Sequence, residues 1–264
     1  MSPAPREADL EAVVLDLLGT LGWSVRHGPE IAPGELAAER GDYREVVLIE
    51  RLRDAVVGLN PGIPLDAVED AVKTALRPES QVAESENWRA YRLLVEGVPV
   101  DFRSTDGSIR SARARLIDFD EPGNNDYLAV NQFTVLGTRE RRPDVVLFVN
   151  GLPLVLMELK RPGDGNATLR GAFNQVQTYR AQIPDIFTWN QVTVISDGTQ
   201  ARAGSFIPEG AGRCQAGFRP AVSRQQGCLQ GMLKWPRGSA FLRAGAVFVR
   251  AGGLGPGPGG VRPA

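Results

Sequence analysis

Residues 143–164 read PDVVLFVNGLPLVLMELKRPGD. Residues 145–149 and 152–157 are two β-rich apolar runs on either side of Asn150-Gly151, a dipeptide that tolerates left-handed backbone and so suits a tight hairpin turn. Pro153 falls early in the second run, where a missing N–H donor is tolerated. The hairpin opens on Asp144 and closes on Glu158 and Lys160, three charges that a buried sheet does not readily take in. Register decides what they can do. A two-residue loop pairs Val149 with Leu152, sets Asp144 against Met157 and turns Glu158 to the other side of the sheet. A three-residue loop pairs Val149 with Pro153 and brings Asp144 directly across from Glu158, with β-carbons about 5 Å apart. A bulge has the same effect. Lys160 shares the face of Glu158, because side chains alternate along a strand.

In the second register two carboxylates stand side by side at the end of a buried sheet, an arrangement that is unfavourable alone and drives one of them towards its protonated form. A divalent cation between them removes the conflict. Carboxylate oxygens suit Mg²⁺, which takes few protein ligands and keeps several waters. An activated water, charge neutralisation on a phosphoryl oxygen, and an ammonium to orient the water or stabilise the transition state together fit phosphodiester hydrolysis without a histidine.

Composition agrees with that economy. His27 is the only histidine in 264 residues, which removes most zinc sites, Ser-His-Asp triads and Cys-His pairs. Cys214 and Cys228 have neither metal spacing nor a disulfide framework. Lys and Arg number 30 against 31 Asp and Glu, a net charge of −1, so a nucleic-acid surface must be a local patch. No run of eighteen apolar residues predicts a membrane span, and MSPAPREADLE lacks the features of a secretory signal. A cytoplasmic location is expected.

Working outward, residues 7–21 place Leu10, Val13, Val14, Leu17 and Leu18 at helical spacing, with Gly22 as the stop. Residues 42–58 and 64–76 read as two further amphipathic helices, broken by NPGIP. After a polar stretch, 91–102 and 113–121 read as strands, and 124–137 as another. The hairpin, a helix over about 166–181 and a strand over 191–196 follow. Asp164 and Asn166 mark the loop and cap into that helix. The expected fold is α/β, a mixed central sheet flanked by helices, in a domain over 1–206 (a helical part over 6–77 and a core over about 90–206). Residues 207–264 are rich in Gly, Pro and Arg and lack periodicity. They read either as a flexible, disordered tail or as translation in a wrong frame.

Pro143-Asp144, thirteen intervening residues and Glu158-Leu159-Lys160 resemble the PD-(D/E)XK nuclease motif. Gln175-Val176-Gln177-Thr178-Tyr179, in the helix that follows, resembles the QxxxY motif of its RecB-like branch. With NDYLAVNQFTV before and ELKRPGD after, the chain is similar to the N-terminal nuclease domain of type I restriction enzyme R (HsdR-type) subunits, over about residues 6–206. The resemblance implies a restriction-endonuclease-like core and Mg²⁺ held by Asp144, Glu158 and the Leu159 carbonyl. It makes Lys160 the catalytic lysine and has Gln175 and Tyr179 organising the site. In some relatives an acid on the first helix approaches the metal, and Glu11 is the candidate here. The implied activity is type I site-specific deoxyribonuclease, and the implied partners are double-stranded DNA and the modification and specificity subunits. Such subunits continue into ATP-driven motor domains. No G-x-x-x-x-G-K-[ST] phosphate loop occurs here, so the chain is expected to be the nuclease module alone or a truncated subunit.

Plainer readings stand beside these. Glu158 and Lys160 could form a surface ion pair, and Gln175 and Tyr179 a helix-face pair. Arg139, Arg141, Arg142, Arg161 and Arg170 read either as phosphate contacts or as a solvated basic face. A non-catalytic module that docks on DNA or the methyltransferase assembly is the alternative function, and a solitary repair-type nuclease a third.

Overall fold

A computed structural model describes residues 7–104, 106–160, 169–197, 200–205 and 219–220. The expectations for Arg161, Asp164, Asn166 and most of the 207–264 tail therefore lie outside the described residues. The chain opens with α1 (Glu7–Thr20), which ends where Gly22 takes a φ of +91°, followed by β1 (Ser24–His27). Three helices follow: α2 (Ile49–Leu59), α3 (Leu65–Leu76) and α4 (Ala83–Glu96). Next come the ribbon β2 (Val98–Arg103) and β3 (Ile109–Ala114), then β4 (Tyr127–Asn131), β5 (Val135–Leu136) and β6 (Glu140–Arg141). The opening hairpin is β7 (Val145–Val149) and β8 (Leu152–Leu159). The rest is α5 (Leu169–Gln182), α6 (Ile186–Trp189), β9 (Val192–Ser196), β10 (Ala201–Gly204) and β11 (Arg219–Pro220).

The central sheet has the order β1-β4-β7-β8-β9-β10-β11. It is mixed: β1 runs parallel to β4 and β8 parallel to β9, while β4-β7 and β7-β8 are antiparallel. Every residue of β7 and β8 is buried. Continuous burial along a strand requires both faces to be covered, and this is the sheet flanked by helices that the sequence predicts. Parallel and antiparallel directions combine so that one sheet end collects the C-termini of β1, β4, β8 and β9 together with the N-terminus of β7.

Several element boundaries differ from expectation, each for a local reason. Residues 42–48 are loop rather than the first turns of a helix. There the Asp42 carboxylate accepts from the Arg44 N–H at 2.7 Å and the Glu45 carboxylate from the Gly41 N–H at 2.8 Å. Such side-chain-to-backbone bonds compete with helix. Arg40 fastens that loop: its guanidinium donates to the carbonyls of Glu45 and Thr134 and lies 3.7 Å from the Phe133 ring centroid, and burial lowers its pKa to about 10. Residues 91–96 belong to α4, not to a strand. Glu86, Asn87, Ala90 and Leu94 are buried at helical spacing, and Gly97 at φ +76° stops the helix. Within 113–121, only the end of β3 is strand. The Asp118 carboxylate accepts from the N–H groups of Asp120 and Glu121 and from Asn124, which folds the segment into a turn and lowers the Asp118 pKa. Residues 124–137 break after Asn131, because Gln132 has a φ of +54°.

The hairpin resolves the register in a way that combines the two readings. Asn150 (φ +52°) and Gly151 (φ +76°) form a two-residue turn, and Val149 pairs with Leu152 and Phe148 with Pro153. A bulge then shifts the ladder, so Leu147 pairs with Val155 and Val145 with Met157. The loop is the shorter one, and the extra residue, Leu154, supplies the offset that sets position 158 across from 144.

Candidate metal and catalytic centre at one end of the sheet

The bulge fixes the starting geometry. Beyond the Val145–Met157 pair, the next positions are Asp144 and Glu158, and the Leu159 N–H donates to Asp144 Oδ2 at 2.6 Å. The Asp144 carboxylate therefore lies across the strand end next to Glu158 rather than turned away from it. Its main chain is held on the other side, where the Gln132 N–H donates to the Asp144 carbonyl at 3.0 Å.

Glu158 is 1% exposed, and both of its oxygens are engaged. Lys160 Nζ donates to Oε1 at 2.5 Å, and the Tyr179 hydroxyl donates to Oε2 at 3.0 Å. A charge this deeply placed needs such partners. The ion pair of the plainer reading exists, but it is buried rather than on the surface. Lys160 is fixed through its backbone as well, its N–H donating to the Ser196 carbonyl at 2.7 Å, which ties β8 to β9 at the same end.

α5 brings Gln175 and Tyr179 in from one face. One helical turn separates them, and Gln175 Nε2 donates to the Tyr179 hydroxyl at 3.2 Å. With its one proton directed to Glu158, the hydroxyl lies 3.4 Å from the Arg142 carbonyl. Burial first, and then the negative charge of Glu158, hold the phenol well above its ordinary pKa, and Asp144 adds to the effect. The Tyr179 hydroxyl on α5 thus meets Glu158 directly, and the neighbouring Leu159 N–H holds Asp144 at the same strand end.

The donor set fits a hard divalent cation: two carboxylate side chains come together at a strand end, with the Lys160 ammonium against one of them. Among the described residues no group of three or more His, Cys, Asp or Glu side chains is assembled. Glu11 stands at the same sheet end, but its two oxygens accept from Asn131 Nδ2 at 2.5 Å and from Gln132 Nε2 at 2.8 Å. The arginines divide. Arg141 is engaged by Gln182 on α5, its Nε donating to Oε1 at 2.5 Å. Arg142 is half exposed beside Glu140, and Arg139 and Arg170 are exposed.

Two residues that the sequence reading passed over belong to this centre, Asn131 and Gln132. Reading 124–137 as one strand hid them. Two successive carboxamides closing an apolar strand are a break signal that could have exposed them.

The sequence pattern of the family described as "Type I restriction enzyme R protein N terminus" matches residues 4–210. The chain is 42% identical over 201 residues to the type I restriction enzyme HindI endonuclease subunit of Haemophilus influenzae, covering 75% of this chain and 19% of that protein. It is 32% identical over 200 residues to the MjaIXP protein of Methanocaldococcus jannaschii, covering 74% and 19%. With the type I restriction enzyme EcoprrI endonuclease subunit of Escherichia coli, identity is 38% over 106 residues, 39% of this chain and 32% of the other. The chain thus spans about a fifth of the length of the first two.

Proposed function

Because the chain belongs to the type I restriction enzyme R protein N-terminus family, we propose that it is the DNA-cleaving module of a type I restriction system, an endonuclease that hydrolyses phosphodiester bonds with Mg²⁺. The observation that carries the reading is the convergence of Asp144 and Glu158 at one sheet end, where the Leu159 N–H holds the Asp144 carboxylate and the Tyr179 hydroxyl donates to Glu158.

Asp144 and Glu158 would hold the ion, with the Leu159 carbonyl as a further donor. When bound, the ion supplies an activated water and neutralises charge on a phosphoryl oxygen. The remaining work falls to the chain's own groups. Leu159 N–H fixes the orientation of the Asp144 carboxylate. Tyr179 orients Glu158 and stays protonated while doing so, because its pKa is raised. Lys160 approaches from the Glu158 side, where its ammonium can orient the attacking water or donate to the developing charge on phosphorus-bound oxygen. Arg142, Arg170 and Arg161 are the proposed contacts to the DNA backbone, with Arg141 more firmly committed to Gln182.

The substrate is proposed as double-stranded DNA, and the partners as the modification and specificity subunits. The test is incubation of the purified chain with supercoiled plasmid and Mg²⁺, alone and with those subunits, beside an EDTA control and an Asp144→Ala variant. Nicking or linearisation that disappears in both controls supports the reading. Cleavage that survives Asp144→Ala contradicts it. A folded chain that takes up no divalent ion favours the non-catalytic docking role instead.

A further inference from the structure

We infer that Gln132 is a positioning residue for Asp144 and that Glu11 is its anchor, an inference that rests on the nuclease reading above. Gln132 follows the last residue of β4 and has a φ of +54°. Residues with side chains seldom adopt that conformation, apart from Asn, Asp and His, and it persists only where the surroundings over-determine it.

Here three surroundings do so. The Gln132 side chain donates through Nε2 to Glu11 Oε2 at 2.8 Å. Its backbone N–H donates to the Asp144 carbonyl at 3.0 Å, continuing the β4-β7 ladder one step past the Asn131–Val145 pair. On its far side Gly28 packs so closely that a Cβ there would fall 2.4 Å from the Gln132 carbonyl oxygen.

Glu11 makes the anchor rigid. Its other oxygen accepts from Asn131 Nδ2 at 2.5 Å, and Asn131 Oδ1 then faces His27 Nδ1 at 2.9 Å. A carboxylate only accepts hydrogen bonds, so it dictates the orientation of both amides. Helix α1 thereby holds the corner from which the Asp144 peptide hangs. Asp144 is gripped from two strands, by Gln132 on its main chain and by Leu159 on its side chain. On this account Glu11 acts through the corner and is not itself an ion ligand.

The experiment is Mn²⁺ titration of the full chain by electron paramagnetic resonance, with thermal melting of each variant. Gln132→Glu sets a second carboxylate against Glu11. It should weaken Mn²⁺ binding by about tenfold or more, the usual cost of disturbing a group that orients a ligand. Gln132→Asn tolerates the left-handed backbone better but is too short to reach Glu11, so it should weaken binding while keeping the melting temperature. The exchange Glu11→Gln with Gln132→Glu restores donor and acceptor in reversed order and should recover most of the affinity. A purely structural corner would shift melting and leave affinity alone, and that result overturns the proposal. So does a loss in Gln132→Glu that the exchange fails to recover, which would mark Glu11 as a ligand. Both outcomes leave the nuclease reading intact, provided that wild type binds Mn²⁺ and Asp144→Asn does not. Failure of the folded wild type to bind Mn²⁺ overturns that reading and the proposal together.

Discussion

At Glu158 the conflict between burial and charge becomes measurable. The carboxylate side chain is 2% exposed and that of its Lys160 partner 21%. Removing one member of a buried pair strands the other. Lys160→Met should therefore cost stability, and since Lys160 is partly solvated, the expected loss is about 2 kcal/mol in urea unfolding rather than the full value for a wholly buried pair. Adding Glu158→Gln to Lys160→Met should return part of that loss. Equal stability of Lys160→Met and wild type would mean that the pair is solvated. Tyr179 gives a second test. Its pKa is raised in the folded chain, chiefly by burial and then by Glu158. Below the ordinary phenol value of about 10, folded and unfolded chains are both protonated. Above it, the unfolded chain releases the proton first, so the contribution of Tyr179 to stability is lost as pH rises. Stability should thus decline above about pH 10 in wild type and less steeply in Tyr179→Phe. Superimposable profiles would contradict the burial of that hydroxyl against a carboxylate.

At the scale of elements, the hairpin was the most legible part of the sequence and the register its least legible feature. Asn150-Gly151 and two dense apolar runs specify the turn and strands, because positive φ and burial leave few alternatives. The bulge at Leu154 has no comparable signal: every residue around it is apolar and buried, so nothing in the local pattern distinguishes one offset from the next. The amphipathic reading of 64–76 held because Ala67, Val68, Ala71, Val72 and Ala75 are all buried on one face of α3. The strand expected over 91–102 is present only from Val98, because Leu93, Leu94 and Val95 form an apolar triplet that resembles strand but lies on α4, with Leu94 buried and Val95 exposed. The turn itself is testable. Gly151 has a φ of +76°, and a Cβ on it would lie 2.3 Å from the Leu48 carbonyl oxygen. Gly151→Ala should destabilise the chain by more than about 1 kcal/mol in denaturant titration, from the left-handed backbone alone. A neutral substitution would mean that the turn is not the one described.

At the scale of the whole molecule, the class of fold was legible and its edges were not. A continuous apolar hairpin implies helices on both faces, and the sheet end then collects β1, β4, β7, β8 and β9 by strand direction alone. The short strands β1 and β10 carry no readable signal because their residues are exposed or only half-buried, which leaves no periodicity to detect. The candidate site followed the same division: Asp144, Glu158, Lys160, Gln175 and Tyr179 stand in motif spacing, whereas Asn131 and Gln132 reach the centre only through folding. No helix among the described residues is long and apolar enough to cross a membrane. With a net charge of −1, the DNA binding proposed above would depend on a few positive side chains. Affinity for duplex DNA should fall with salt, and Arg142→Ala should lower the slope of log affinity against log salt by about 1 without changing sequence preference. An unchanged slope would remove Arg142 from the contact.

The most direct test of the central claim is a crystal of the chain soaked in Mn²⁺, read by its anomalous scattering. One strong peak is expected, with carboxylate oxygens of both Asp144 and Glu158 at about 2.0–2.2 Å. A fully soaked crystal with no peak between those two acids, or with the two acids on opposite faces of the sheet, would contradict it.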